Sequence, residues 1–383
     1  MPINDPASPW HTEAVQTYRD SVRRFLRDEF LPQQARWRDQ HHPDAAAWLS
    51  AGRVGLLLPD IPIAYGGGGG TFAHECVVIE ELARAGISFG AGVQSIVAHY
   101  ILAYASEQQK HDWLPRMARG ELVASIAMTE PGAGSDLAGI KTTAQRDGDH
   151  YLINGSKTFI TNGLHAGLVC IAARTSTTAP GMRAISMIMA ETRDLAGYSA
   201  GRPLEKVGMH GQDTCELFFQ NMRVPATNLL GSVEGRGFTQ MMQQLPYERL
   251  SIALLAVAMA EEAVAITTRY AKERLVSGKP MFELQNTRFK LAECAADVRV
   301  GRVFIDDCVG RFLAGNFDDA SAAIAKYWST ERVCRIVDDC LQMHGGYGYM
   351  TEYPIARMWM DSRVQRIYAG SNEVMKEVIA WSL

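Results

Sequence analysis

The sequence predicts a mainly α-helical protein interrupted by a β-domain, in the order helical, β, helical. The chain of 383 residues is longer than the roughly 250–300 residues at which a single core stops growing. Apolar residues occur every three or four positions in its first and last thirds, whereas short runs rich in β-formers fill the middle. We therefore predict domains over residues 1–121, 122–231 and 232–383.

The first domain is predicted to begin with an amphipathic helix from Thr12. Its buried stripe is predicted to comprise Val15, Tyr18, Val22, Leu26 and Phe30. Pro32 should end or bend this helix because proline lacks a backbone N–H. Five consecutive glycines at 66–70 predict a loop, after which helical spacing resumes from Phe72 to Ala85.

The middle domain is predicted to be a small β-sandwich or barrel, because its strand-like runs are short and separated by turn residues. These runs are Val123–Met128, Tyr151–Ile153, Leu168–Ala172, Ala184–Met189 and Glu216–Phe219. Asp147-Gly148 is a hairpin-turn signal, and residues 154–163 have the pattern of a β-turn-β unit. From Phe238 the spacing is helical again, with alanine-rich stretches at 252–267 and 320–327.

Composition limits the function classes. A net charge of -4 provides no basic field for nucleic acid or an anionic membrane surface, so neither is predicted as a partner. No apolar run is expected to approach the roughly 18–20 residues that cross a bilayer, so no membrane span is predicted. The seven cysteines are scattered and never form C-x-x-C, which predicts a reducing compartment. The polar start favours a cytoplasmic protein, although a mature organellar matrix protein would look the same.

Two distant segments carry the clearest chemistry. Glu248 places a carboxylate near the start of a long apolar helix, and residues 366–373 end in a tight Ala-Gly-Ser turn with unobstructed backbone N–H groups. A carboxylate facing bare amides can remove a proton beside a carbonyl and stabilise the enolate oxygen. A third segment, residues 128–136, follows a strand and is rich in small residues that allow a planar or phosphate-bearing ligand to approach.

Together these segments resemble the acyl-CoA dehydrogenase family. Further support comes from residues 206–209, 212–219, 245–250 and 352–356, which look most like the long-chain-specific subtype. The resemblance covers nearly the whole chain. It implies an N-terminal helical domain, a middle β-barrel or sandwich and a C-terminal four-helix bundle, with FAD bound between the last two.

The resemblance also implies roles for individual residues. The implied FAD-binding residues are Met128, Thr129, Ser135, Phe159, Thr161, Arg274, Gln285, Gln342, Gly345, Gly346, Ser371 and Glu373. The implied substrate-binding residues are Ser135, Tyr247, Arg249, Tyr368 and Gly370. Arg274 matches an arginine that contacts the FAD pyrophosphate of a neighbouring subunit, which implies at least a dimer; the resemblance also leads us to expect a homotetramer built as a dimer of dimers. Two positions depart from the family pattern: Phe159 stands where many relatives have Trp, and Ser277 stands where Phe is usual.

The position of the catalytic base indicates the branch of the family. Most members carry the base in a Tyr-Glu-Gly-Thr turn, but this chain has Ala369 at the glutamate position. The long-chain and isovaleryl branches place the base on the helix of Glu248 instead. Glu248 is therefore the predicted base, and the backbone N–H of Ala369 is the predicted donor to the thioester oxygen. The competing readings are that Glu248 only stabilises a helix start, or that Glu373 or Glu130 is the base.

Three function hypotheses follow. The first is FAD-dependent α,β-dehydrogenation of a long or branched acyl-CoA to the trans-2-enoyl-CoA, with an electron-transferring flavoprotein as acceptor. The second is an oxidase or monooxygenase on the same scaffold, which rapid reoxidation of reduced flavin by air would favour. The third is a catalytically silent flavoprotein that acts as an assembly partner, which absence of turnover with any thioester would favour.

Overall fold

The computed structural model describes residues 8–383. The polar start at Met1–Asp5 on which the targeting expectation rested lies outside these residues. Over the described range the order helical, β, helical is confirmed.

The first part of the chain is a helical layer. Its helices are α1 (Glu13–Phe25), α2 (Gln34–Gln40), α3 (Ala45–Arg53), α4 (Phe72–Ala85), α5 (Ala91–Tyr104) and α6 (Glu107–Ala118). Thr12 caps α1, since its hydroxyl accepts a hydrogen bond from the Val15 N–H at 3.3 Å. The predicted stripe is confirmed: its members are buried, apart from the half-buried Tyr18. Pro32 lies in a 3₁₀ turn that separates α1 from α2, as expected for a residue without an N–H.

The middle part forms one curled sheet. Its strands are β1 (Ala124–Ala127), β2 (Thr143–Asp147), β3 (His150–Thr161), β4 (Leu168–Arg174), β5 (Ile185–Glu191), β6 (Tyr198–Ala200) and β7 (Thr214–Pro225). The order across the sheet is β1-β4-β2-β3-β7-β6, and β5 pairs with β4. The Asp147-Gly148 turn is confirmed, because Asp147 pairs with His150 across the β2–β3 hairpin.

The predicted β-turn-β unit at residues 154–163 is wrong. Residues 150–161 form the single strand β3, which pairs with β7. The pairing register shifts between Ile153 and Gly155 and again between Lys157 and Ile160. At the second irregularity Phe159 has a φ of 60°, so its side chain is turned away from the regular alternation. The turn-like residues thus produce bulges within one strand.

The last part of the chain is helical apart from a short hairpin. Its elements are α7 (Gly237–Glu273), β8 (Leu275–Val276), β9 (Lys279–Pro280), α8 (Gln285–Leu313), α9 (Asp319–His344), α10 (Pro354–Ser362) and α11 (Asn372–Ala380). Helix α7 packs against both α8 and α9, and also against α4 of the first layer. Two buried clusters therefore join the domains: one links α4 to α7 and α8, and the other links α5 and α6 to the sheet.

The expectation about apolar runs requires a correction. Helix α7 contains an 18-residue window of mean hydropathy 1.8, so by length and composition it could cross a membrane. The window is 56% buried within the protein. The alanine-rich stretch that makes it apolar includes Ala253, Ala256 and Ala260, which pack inside the helical core. Burial against other helices accounts for this composition.

Candidate active site

Glu248 lies in the middle of the fold rather than at the start of a helix. Helix α7 begins at Gly237, eleven positions before Glu248, so the expectation of a helix-start position is wrong. The helix continues through Pro246, where it loses one backbone hydrogen bond. A charge three turns into a helix gains little from the helix dipole, which acts within the first turn. The helix-start reading of Glu248 therefore fails.

The surroundings of Glu248 favour its neutral form. Its side chain is buried, and the Tyr100 hydroxyl in α5 donates to its Oε1 at 3.3 Å. Burial raises the pKa of Glu248 to about 7, while the Tyr100 bond and the Arg249 charge act in the opposite direction. Burial and the Glu248 charge also raise the pKa of Cys170 in β4, so Glu248 lies close to the sheet. A carboxylate with a pKa near neutrality can accept and release a proton at working pH.

Glu130, a competing candidate base, has both carboxylate oxygens engaged in structural hydrogen bonds. Its carboxylate accepts hydrogen bonds from the backbone N–H groups of Lys141 at 2.6 Å and Thr142 at 2.9 Å. The buried Lys157 ammonium donates to it at 2.9 Å. Although burial opposes the charge, these partners lower the pKa of Glu130. Glu130 therefore holds the strand-exit turn and is poorly suited to take a proton.

The other competing candidate, Glu373, is exposed. It lies in the first turn of α11, whose N-cap is Ser371; the Ser371 hydroxyl accepts from the Val374 N–H at 3.4 Å. Hydrogen bonding to its own backbone N–H and to Ser371 lowers the pKa of Glu373. Its position is typical of an acidic residue at a helix N-terminus.

The Ala369-Gly370 turn is held by a buried lysine. The Lys326 ammonium in α9 donates to the Gly370 carbonyl at 2.8 Å and to the Asn372 side chain at 2.9 Å. Both Ala369 and Gly370 have positive φ values, 50° and 88°. The turn is therefore fixed in a left-handed conformation that glycine adopts readily and alanine does not.

Buried charges connect this turn to the helix of Glu248. Arg249, the next residue on α7, is buried, and its Nε has no hydrogen-bond partner within residues 8–383. Burial and the Arg249 charge lower the pKa of Lys326 to about 8, which places the two cations near each other. Since Lys326 also bonds Gly370, the segments around 248 and 369 approach each other. Of the two predicted substrate-binding tyrosines, Tyr247 is buried against the rings of His99 and Phe72. Tyr368 directly precedes the Ala369-Gly370 turn.

Four of the predicted cofactor residues line one open pocket of about 430 Å³. They are Arg274, Gln342, Gly345 and Gly346. His344 in the same wall stacks on Tyr270 with ring centroids 4.2 Å apart. Gly345 and Gly346 have open space where a side chain would stand, so a ligand can approach their backbone.

A second set of predicted cofactor residues lies on the sheet. The Thr158 N–H donates to the Thr129 carbonyl at 3.0 Å, which joins the strand-exit turn to β3. Met128 packs against the cluster that contains α5 and α6, while Phe159 is 68% exposed. Beside them, Gly132 and Gly134 have open space at the Cβ position. Ser135 is exposed and Thr161 is half-buried.

The β8–β9 hairpin contains one of the two positions that depart from the family pattern. Ser277 and Gly278 are its two turn residues, with φ values of 51° and 79°, and both are exposed. Two consecutive positive φ values are typical of a type I′ turn. Gln285, also exposed, begins α8 shortly after this hairpin, and the Met281 N–H bonds back to the Arg274 carbonyl at 2.7 Å. The hairpin thus holds Arg274 and Gln285 in one region.

Sequence reasoning missed Tyr100 and Lys326. Both are buried polar residues on helices, and each contacts a predicted catalytic segment far away in the chain. The only signal in the sequence is a lysine or tyrosine on an otherwise apolar helix face. That signal does not identify the partner.

The chain matches the family models for the acyl-CoA dehydrogenase N-terminal domain at residues 12–121, middle domain at 125–222 and C-terminal domain at 235–383. It is 43% identical to the mitochondrial long-chain specific acyl-CoA dehydrogenase of Sus scrofa, over 95% of this chain and 85% of that protein.

Two solved structures are also similar. A crystal structure of an acyl-CoA dehydrogenase from Geobacillus kaustophilus has a TM-score of 0.96 and 45% identity, covering 98% of this chain and 99% of that one. A glutaryl-CoA dehydrogenase from Mycobacterium smegmatis, in complex with FADH2, has a TM-score of 0.91 and 26% identity, covering 98% and 96%.

Proposed function

Because the chain belongs to the acyl-CoA dehydrogenase family, we propose that it oxidises a long or branched acyl-CoA thioester with Glu248 as the base. The family is one of FAD-dependent oxidoreductases, and dehydrogenation of acyl-CoA is the activity that it supports for this chain. The proposal for the base rests mainly on the buried, weakly bonded state of Glu248. Glu130 is occupied by other partners and Glu373 is exposed.

In the proposed reaction Glu248 removes the α-proton of the thioester. The backbone N–H of Ala369 donates to the thioester oxygen as negative charge develops there. The Lys326 bond to Gly370 keeps this turn in place, so its N–H need not reorient during the reaction. The bound cofactor supplies the acceptor for the β-hydrogen, and the product is the trans-2-enoyl-CoA. Arg249, with an unpartnered Nε within the described residues, is proposed to contact the thioester side of the substrate.

The chain offers surfaces that fit FAD. The pocket with Arg274, Gln342, Gly345 and Gly346 combines a cation with accessible backbone, which suits a pyrophosphate. The sheet residues Met128, Thr129, Ser135, Phe159 and Thr161 are proposed to face the flavin. Gln285, Ser371 and Glu373 are proposed to complete the site.

The exposed position of Arg274 supports a contribution to the cofactor of a neighbouring subunit. A homotetramer is therefore part of the proposal. An electron-transferring flavoprotein is proposed separately as the electron acceptor. A cytoplasmic location, or the matrix of an organelle, stays a prediction.

The proposal is tested by Glu248→Gln in the FAD-loaded enzyme. The variant should retain its yellow colour but lose about 10²–10⁴-fold in the rate at which an acyl-CoA bleaches the flavin anaerobically. Glu262→Gln is the matched control, since Glu262 is on the same helix and makes only a half-exposed contact with Arg269 at 3.3 Å. Near-normal bleaching by Glu248→Gln would refute the assignment.

A further inference from the structure

A second group of polar side chains is buried beside Glu248 and, apart from the implied substrate contact Tyr247, has no part in the proposed chemistry. This polar cluster consists of Asp60 in the loop after α3, Glu75 in α4, Ser95 and His99 in α5, and Tyr247 in α7. His99 Nε2 lies 3.1 Å from Asp60 Oδ2, and His99 Nδ1 lies 2.8 Å from the Ser95 carbonyl. The rings of His99 and Tyr247 are 4.2 Å apart.

The two carboxylates in the polar cluster are incompletely bonded. Glu75 is 1% exposed and the side chain of Asp60 is 6% exposed. Glu75 Oε2 and Asp60 Oδ1 nevertheless have no hydrogen-bond partner anywhere in residues 8–383. Burying an oxygen without a partner is unfavourable, and such groups commonly bind a ligand or an ordered water. The side chain of His99 remains 20% exposed, so the cluster is open to a small molecule on that side.

The groups of the polar cluster influence one another's protonation. Burial and the charge of Asp60 raise the pKa of Glu75 to about 8, so Glu75 is mainly a neutral acid. Burial opposes protonation of His99, but the hydrogen bond to Asp60 and its charge raise the pKa above the ordinary value. The polar cluster thus offers a carboxylic acid, an imidazole and two unpaired oxygens, which can both donate and accept hydrogen bonds. It matches an uncharged group that both donates and accepts hydrogen bonds better than it matches a cation.

The polar cluster also adjoins the proposed base on two helices. His99 and Tyr100 are consecutive residues of α5, and Tyr247 and Glu248 are consecutive residues of α7. His99 contacts Tyr247 while Tyr100 bonds Glu248, so the two contacts lie side by side between the same helices. The cluster therefore begins one residue away from the proposed base on α7 and from its hydrogen-bond donor on α5.

We propose that the polar cluster binds a hydroxyl group on the acyl part of the thioester, so that this enzyme prefers hydroxylated over unsubstituted acyl-CoA. The proposal rests on the proposed function, because it takes Glu248 as the reaction centre. A plain hydrocarbon would leave the Glu75 and Asp60 oxygens unpaired. A site with unpaired polar groups discriminates strongly against an analogue that lacks the matching hydroxyl.

The test uses the FAD-loaded enzyme and pairs of acyl-CoA thioesters of equal chain length. One member is unsubstituted, and the other carries a hydroxyl at successive positions beyond the β-carbon. Two quantities are measured: the anaerobic rate of flavin bleaching, and the Kd from the change in the flavin spectrum on titration. For at least one hydroxyl position we expect a lower Kd than for the unsubstituted thioester. The ratio of bleaching rate to Kd should be at least about tenfold higher.

Variants separate this role from general packing. Glu75→Leu should reduce the preference to less than about threefold and leave the rate with the unsubstituted thioester equal or higher, because it removes an unpaired oxygen. Glu29→Gln, at an exposed site, is the control and should keep the preference. If Glu75→Leu fails to fold, the comparison of thioesters with the unaltered enzyme still decides the question.

Equal rates and equal Kd values at every hydroxyl position would overturn the inference. A stronger preference for the corresponding amino-substituted thioesters would also overturn it, because the cluster would then be a cation site. If no thioester bleaches the flavin, the proposed function fails, but the Kd values for the same pairs still show whether the hydroxyl is recognised.

Discussion

Glu130 and Glu248 are both buried carboxylates in the core of this enzyme, yet their surroundings give them opposite ionisation. Glu130 accepts two backbone hydrogen bonds and one from the Lys157 ammonium, and its pKa is lowered although burial opposes this. Glu248 has one bond, from Tyr100 at 3.3 Å, and burial raises its pKa to about 7. The comparison shows that the supply of donors decides whether a buried carboxylate has a structural or a chemical role.

The largest expected difference between the two is in stability. Glu130→Gln leaves the buried Lys157 ammonium without its counter-charge, so we expect the free energy of unfolding to fall by about 3–5 kcal/mol. Glu248→Gln removes a charge that burial already disfavours, so it should cost less than about 1 kcal/mol and should stabilise the protein at neutral pH. Denaturant unfolding of both variants measures this. In the double variant Glu130→Gln with Lys157→Met much of the loss should return; if it does not, the ion pair is not its cause.

The pH dependence of stability should have opposite signs for the two residues. Between pH 4.5, the ordinary glutamate value, and about 7, folded Glu248 holds a proton that the unfolded chain has lost. The unaltered enzyme therefore loses stability as pH rises through this window, by about 3 kcal/mol, and Glu248→Gln should not. The lowered pKa of Glu130 gives the reverse: its contribution is present above pH 4.5 and is lost as pH falls through the folded value. The free energy of unfolding is measured at several pH values for each variant and for the unaltered enzyme. The difference between variant and unaltered enzyme then gives the pH slope that each residue contributes. Slopes of the same sign for the two residues would contradict the assignment.

A smaller effect is expected from the one hydrogen bond that Glu248 retains. Tyr100→Phe removes a donor to the carboxylate, which should raise the pKa of the base further and lower kcat/KM near neutral pH by up to about tenfold. Activity should recover at higher pH, because the base is then ionised. Tyr104→Phe is the control: its hydroxyl lies one turn away and bonds Gln243 at 2.9 Å. A loss that persists at every pH would show that Tyr100 acts through packing.

Local patterns predicted much of the fold. The limits of α4 were predicted correctly as Phe72–Ala85, because a glycine run and a glycine C-cap border a regular helical spacing. The limits of α7 could not be predicted, since Pro246 resembles a helix boundary and only packing against α8 and α9 keeps the helix continuous. Strand β3 was also divided wrongly, because bulges within a strand use the same residues as turns.

The site was predictable only where its residues are contiguous. Residues 368–373 and 248–249 carry recognisable patterns, but the hydrogen bond from Tyr100 to Glu248 spans 148 positions. The polar cluster is assembled from one loop and three helices, and each of its members alone is an ordinary polar residue. Long-range contacts of this kind depend on helix packing, which local spacing does not determine.

The smallest expected effect concerns Ala369, whose proposed role uses only its backbone N–H. Ala369→Gly keeps that N–H and relieves a left-handed φ of 50° that costs alanine about 1–2 kcal/mol. Glycine loses about 0.5–1 kcal/mol more in conformational entropy, so the free energy of unfolding should change by less than about 1 kcal/mol. Because Lys326 still bonds the Gly370 carbonyl, the turn should stay in place and kcat/KM should remain within about threefold. Ala369→Val is the contrasting variant, since a β-branched residue is strongly disfavoured at this φ. It should lose both stability and activity, as measured by thermal unfolding and anaerobic bleaching. A folded Ala369→Gly enzyme with little activity would mean that the methyl group itself positions the substrate opposite Glu248.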